Sequence, residues 1–468
     1  MAFAAWLLSL CLAFPLQAQD PITAAIQSGE FHKARTLIEE ALQSGKPAEE
    51  AYALQFQLDM MQRIRQDFSL TQQDVLNRLA KYYPNLSAQQ LEVWEKRKVL
   101  EMRLIDGENR YFNRAVSNLF LLDEAARKRK AAVDGPAADK LGNFLAGHLP
   151  QLIAEARETG KRHIAPQTFT IRYQLSVKAD AVPAGEIIRC WLPYPRAHAR
   201  QQDIALLSTQ PARYLIAPQD VLQRTIYLEQ TATAGKATTF EVSFRYTAFA
   251  EWAQVQPEQV KPYVKNEVYQ QFTAERAPHV VFTPELQALA KQIAGKEQNP
   301  YLITRKVCTW IAENMPWAGA LEYSTMENIP MYCLANGHAD CGMKALLMIT
   351  LLRYLGIPAK WQSGWALSPG YKGLHDWAEV YFEGFGWVPV DPDFGIQPGQ
   401  NEEVKYFYTH GIDPYRLIVN DDYSQPLYPV KIYPRSETVD FQRGEVEWKA
   451  GNLYFDQWSY RLEIVEQQ

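Results

Sequence analysis

The sequence has little cysteine: five residues in 468, too few for a scaffold built on disulfides. It has no GxxxxGK or GxGxxG element, so nucleotide chemistry finds no support. It has no basic excess either. Lys plus Arg total 48 against 53 Asp plus Glu, a net charge of −5, which speaks against a nucleic-acid partner. After the first 18 residues no apolar run approaches the roughly 18 residues that would suggest a membrane span. There is no EF-hand-like acidic loop and no repeat sustained over three units. Aromatic residues, by contrast, reach 12%, which excludes disorder as the main state. The length fits two to four domains.

Residues 1–18 are uncharged, and Trp6–Leu16 is nearly all apolar. Ala18 is a plausible cleavage edge. The pattern is that of a secretory signal peptide lacking the usual positive start. It predicts a secreted or periplasmic protein, with an uncleaved N-terminal anchor as the alternative. Cys11 follows a poor lipoprotein box, because Leu10 sits where a small residue is wanted. Cleavage would leave Cys190, Cys308, Cys333 and Cys341.

Apolar spacing near 3.6 predicts a helical domain over 19–165, including one long helix over 91–121. The basic run Arg127–Lys130 reads as a solvated helix end. Alternating patterns after Pro166 predict a β-sandwich-like domain over 166–250, with Cys190 as a buried, inert thiol. Residues 251–415 return to helices and then strands, and 416–468 read as a β-rich extension. The fold class expected is α+β.

The chemistry concentrates between Gly337 and Asp391. Cys341 directly precedes a strongly apolar helix, GMKALLMITLLRY. A helix N-terminus favours thiolate over thiol, and its free N–H groups can hold an oxyanion. Downstream, HDWAEVYF and GWVPVD flank a turn. A hairpin centred on Glu383 would set His375 directly opposite Asp391, with Cβ atoms about 5 Å apart. One imidazole nitrogen would then meet the carboxylate and the other Cys341, giving nucleophile, base and orienter.

GHADCGMKALLMITLLRYLGIPAKWQSGW and HDWAEVYFEGFGWVPVDPDFG together resemble the core of the transglutaminase-like superfamily of papain-like thiol enzymes. The resemblance covers about residues 280–400. It implies Cys341 as nucleophile, His375 as base and Asp391 as third member, with no cofactor. Lys360 stands where the family pattern has Arg. The resemblance also implies a second oxyanion donor upstream of the nucleophile, for which Trp310 is a candidate and Trp317 a lesser one. The activity implied is acyl transfer from an amide of a protein or peptide, possible substrates including cell-wall peptide. It leans to hydrolysis, with cross-linking as the alternative ending.

Rival readings stay open at this level. Asp393 competes with Asp391, which could instead cap its own turn. His338 competes as base. Cys333 could bridge to Cys341 or Cys308. Cys333, His338 and Cys341 lack the ligand spacing of a familiar zinc site. A non-catalytic binding protein is a second class. A carbohydrate enzyme using Glu379 and Asp393 is a third.

Overall fold

The computed structural model describes residues 20–467; the signal-like segment, 1–18, lies outside them. The chain mixes helices with antiparallel sheets, an α+β fold.

The N-terminal region is helical up to Thr159, with one interruption. The long helix expected over 91–121 is not formed. Helix Ala88–Lys96 gives way to a hairpin of Met102–Ile105 and Glu108–Tyr111, and helix Ala115–Leu122 follows. The reason is Asp106-Gly107, whose φ values of 47° and 84° suit a tight hairpin turn. That local signal overrode the apolar periodicity. Arg127–Lys130 lies in helix Glu124–Asp134, where Lys128 and Lys130 pair with acids four residues away.

Two five-stranded antiparallel sheets pack around a second core. In one, Thr238–Trp252 pairs with His163–Val177, which in turn pairs with Trp458–Gln467. In the other, Glu445–Trp448 pairs with Ile187–Pro193. Alternate residues Phe169, Ile171, Tyr173, Leu175 and Val177 point inward, as do Phe240, Val242, Phe244 and Tyr246. Cys190 is buried among them, and burial pushes its thiol well up. Strands from 445–467 therefore complete the sheets begun by 163–252.

The third unit sets helix Cys341–Tyr354 against a four-stranded antiparallel sheet. Its strand order is Gly386–Val390, Tyr371–Phe382, Ala359–Ser368, Arg416–Asn420. Every residue of the helix from Cys341 to Arg353 is buried. This explains a sequence apolar all round rather than on one stripe. The same core includes Phe31, Ile64 and Leu119, so the N-terminal helices pack into one continuous apolar cluster with it. Among the described residues no helix is long and apolar enough to cross a membrane.

Candidate active site

Asp340 opens the helix Cys341–Tyr354: its carboxylate accepts from the Met343 N–H at 3.1 Å, as an N-cap does. Cys341 is the first helical residue. Gly342 beside it leaves room that no other residue could. A Cβ there would lie 2.2 Å from Tyr323 Oη, 2.7 Å from Asp376 Oδ2 and 2.9 Å from the Trp361 ring.

The hairpin turns one position later than a centre on Glu383 requires. Phe382 pairs with Gly386 and Ala378 with Val390, so His375 and Asp391 are not directly opposite. The displacement is two residues, and an even slip keeps both side chains on one face. Asp391 lies just past the strand end, and the pair forms on the diagonal. His375 Nε2 is 2.7 Å from Asp391 Oδ2, with both side chains fully buried. Asp391 also caps its own turn: Oδ1 accepts the N–H groups of Asp393 and Phe394 at 3.0 Å each. One carboxylate oxygen thus meets the imidazole and the other the turn.

Arg416, which no local motif pointed to, donates to Asp391 Oδ2 at 3.1 Å and pairs with Asp413 at 3.0 Å. Burial raises the Asp391 carboxyl, but the imidazole and Arg416 outweigh it and hold the group below its usual range. The imidazole is walled by rings, stacked on Trp377 at 5.9 Å between centroids and 4.8 Å from Phe394. With Nε2 committed to Asp391, Nδ1 is left buried without a hydrogen-bond partner. The Cys341 sulfur, a ring nitrogen of His375 and an oxygen of Asp393 all lie within 4.8 Å of one another.

The thiol does not have the electrostatics that its helix terminus alone predicts. Burial raises its pKa well above the ordinary value, and Asp376, Asp340 and Asp393 add to the effect. Cys341 Sγ donates to Asp376 Oδ2 at 3.3 Å. Burial first, and then carboxylates that composition gave no reason to place there, oppose the helix dipole and favour the protonated form.

The rival residues have other partners or surroundings. His338 is buried, with its pKa lowered by burial to about 4 and Nδ1 unpartnered. Asp393 pairs with Lys344 at 2.8 Å. Glu379 belongs to a separate buried cluster with Lys360 at 2.9 Å and His198 at 3.4 Å. Asp421 completes a possible ligand set with His198 and Glu379, but the Lys360 ammonium already bridges the two carboxylates. The four cysteines among the described residues are all free, so neither bridge to Cys333 is formed. Trp310 borders a different depression, beside Arg305 and Tyr406, whereas Trp317 lines the cleft containing Cys341.

That cleft encloses about 360 Å³. The segment before the nucleophile forms one wall, and the N-terminal helices hold it. Asn118 exchanges two hydrogen bonds with the Gly319 backbone, at 2.8 and 2.9 Å. Asp67 accepts the Glu322 N–H at 3.0 Å. The opposite wall comes from residues 436–443, where Arg443 grips Glu322 through two bonds of 2.9 and 2.7 Å.

Residues 287–392 match the family model described as the transglutaminase-like superfamily. No curated protein matches the sequence. Among solved structures, a candidate cysteine protease from Cytophaga hutchinsonii is 16% identical, with a TM-score of 0.41. The match covers 65% of this chain and 90% of that one. The periplasmic domain of TgpA from Pseudomonas aeruginosa is 14% identical, with a TM-score of 0.27, covering 48% of this chain and 88% of that one.

Proposed function

From a chain whose residues 287–392 form a transglutaminase-like core, we propose a cysteine-dependent acyl-transfer enzyme acting on amide bonds of a protein or peptide. The observation that carries this reading is the convergence of Cys341, at a helix N-terminus, on the His375–Asp391 pair. His375 Nδ1 takes the thiol proton, and the thiolate forms a C–S bond to the amide carbonyl. Charge moves to the carbonyl oxygen, where N–H groups at the helix start can receive it. Trp317, on the cleft wall, is the candidate second donor. Collapse of the adduct breaks the C–N bond, and the imidazolium protonates the leaving amine. Water then attacks the thioester, giving up a proton to His375; the C–S bond breaks, the carboxylic acid departs, and the imidazolium returns the proton to the sulfur. Asp391 fixes the ring tautomer throughout.

We assign the hydrolytic ending to this cycle, and an exported location to the protein on its N-terminal pattern. The test offers proteins, wall peptides and a primary-amine probe to wild type and Cys341→Ala, with products weighed by mass spectrometry. Cys341-dependent gain of water identifies hydrolysis; amine incorporation identifies transfer instead. Activity that survives Cys341→Ala would overturn the reading.

A further inference from the structure

The cleft beside Cys341 is lined by more carboxyl groups than its own cations pair. Glu322 and Glu437 are both bound by Arg443, the latter at 2.6 Å from Nε. Asp340, Asp376 and Asp440 have no ion-pair partner within 4 Å among the described residues. Asp340 is served by neutral donors, Tyr323 Oη at 2.6 Å and the Met343 N–H. Asp376 is served by Gln442 Nε2 at 2.7 Å and by the thiol. No other residue's side chain donates a hydrogen bond to the Asp440 carboxylate, although Asp440 is only 8% exposed and lines the cleft. The wall offers one further cation, Arg114.

Burying a carboxylate without a cation is costly, and such groups are normally paired. Here the unpaired groups gather on the one cleft that contains the nucleophile. Apolar and aromatic surface from Trp317, Leu374 and Tyr460 completes the lining, as suits a short aliphatic stem ending in a charge. We propose that this cleft is a specificity pocket for a protonated alkyl amine carried by the substrate beside the scissile amide, with Asp376 and Asp440 as its counter-charges. The inference rests on the acyl-transfer reading and names the substrate class for it. The amine could be a lysine-type side chain or a free peptide N-terminus; both offer the same ammonium. Burial, and then the neighbouring acids, raise the Asp376 and Asp440 carboxyls well above their usual range, so an incoming ammonium would draw out the charges that it pairs with.

The full chain can be tested with small thiol reagents that differ in charge. Cys341 would be modified by 2-aminoethyl, methyl and 2-sulfonatoethyl methanethiosulfonate at neutral pH, and the modified residue identified by mass spectrometry. We expect the cationic reagent to outpace the anionic one by at least about tenfold, each rate normalised to the neutral reagent, because unpaired carboxyls ionise beside an ammonium and hold it but repel a sulfonate. The ratio should fall toward one in Asp440→Asn and at raised ionic strength. The salt series needs no variant to fold. Equal rates for the two charged reagents in wild type would overturn the inference while leaving the nucleophile assignment intact. Loss of any His375-dependent acceleration with the neutral reagent would instead overturn the acyl-transfer reading. Protection against the neutral reagent by Nα-acetyl-lysine amide identifies the side-chain source, and protection by alaninamide identifies the N-terminal source. Protection by neither overturns the proposal.

Discussion

His375 and Asp391 meet at 2.7 Å across the end of a hairpin in which neither is the other's strand partner. The imidazole belongs to a strand paired on both sides, where its backbone partner is Gly364. The carboxylate belongs to the turn after the neighbouring strand. Their contact is fixed by the turn and by Arg416 more than by the ladder.

The division of labour within Asp391 makes Asp391→Asn informative. An Asn at 391 keeps an oxygen for the Asp393 and Phe394 N–H groups but loses the negative charge facing the ring. Thermal stability should fall modestly, while Cys341-dependent turnover should fall by about 10³-fold or more. Melting curves and turnover on one preparation separate the two. A variant with near wild-type turnover would remove Asp391 from the mechanism.

Asp376→Asn should make the resting thiol more acidic. Its carboxylate is the largest electrostatic contributor holding Cys341 up, after burial. The pH profile of iodoacetamide labelling at Cys341 should therefore move to lower pH. An unmoved profile would mean that burial alone controls the thiol.

Gly342→Ala places a methyl group where Tyr323, Asp376 and Trp361 already stand. Crowding of this kind typically costs about 1–3 kcal/mol. The displaced groups also border the nucleophile, so turnover should drop further than stability. Comparing denaturation midpoints with turnover at a temperature where the variant is fully folded checks this.

Asp67 provides a stability test remote from the chemistry. Burial, and then the neighbouring Glu322 charge, push its carboxyl up to about 8. The unfolded chain releases that proton near pH 4. Between these values the folded state binds more protons, so this group's stabilising contribution is complete below about pH 4. It is lost as pH rises through about 8. Asp67→Asn keeps an acceptor for the Glu322 N–H without the charge. Its melting temperature should gain on wild type as pH rises from about 5 to 8, then level off. A difference that does not vary with pH would contradict the burial argument.

Much of this was legible in the chain because the site lies in contiguous segments. Cys341 announces itself through the apolar run after it, and the strand pattern carries His375 and Asp391 to one face whichever even register forms. The turn position was not legible, since EGFG permits more than one centre. Arg416, Gln442 and Arg443 carried no signal: their importance comes from what lies across from them, not from their neighbours in sequence. The helix expected over 91–121 failed for the opposite reason. There a purely local feature, Asp106-Gly107, decided the outcome against a longer pattern. The burial of the thiol and the three acids that folding brings to it, which act against the helix end, carried no local signal either.

The way the cleft is walled has a consequence for how the protein acquires its chemistry. The helices that carry Asp67 and Asn118 are synthesised before Cys341, while Asp440, Gln442 and Arg443 come well after Asp391. The clasp between Glu322 and Arg443 spans 121 residues, and distant closures of this kind form late and slowly. A nascent or cleaved chain that stops between Asn420 and Asp440 holds Cys341, His375, Asp391 and Arg416, yet lacks one side of the pocket. Such a fragment has a reactive group without the surface to choose what reaches it, and discrimination arrives only when the far wall docks.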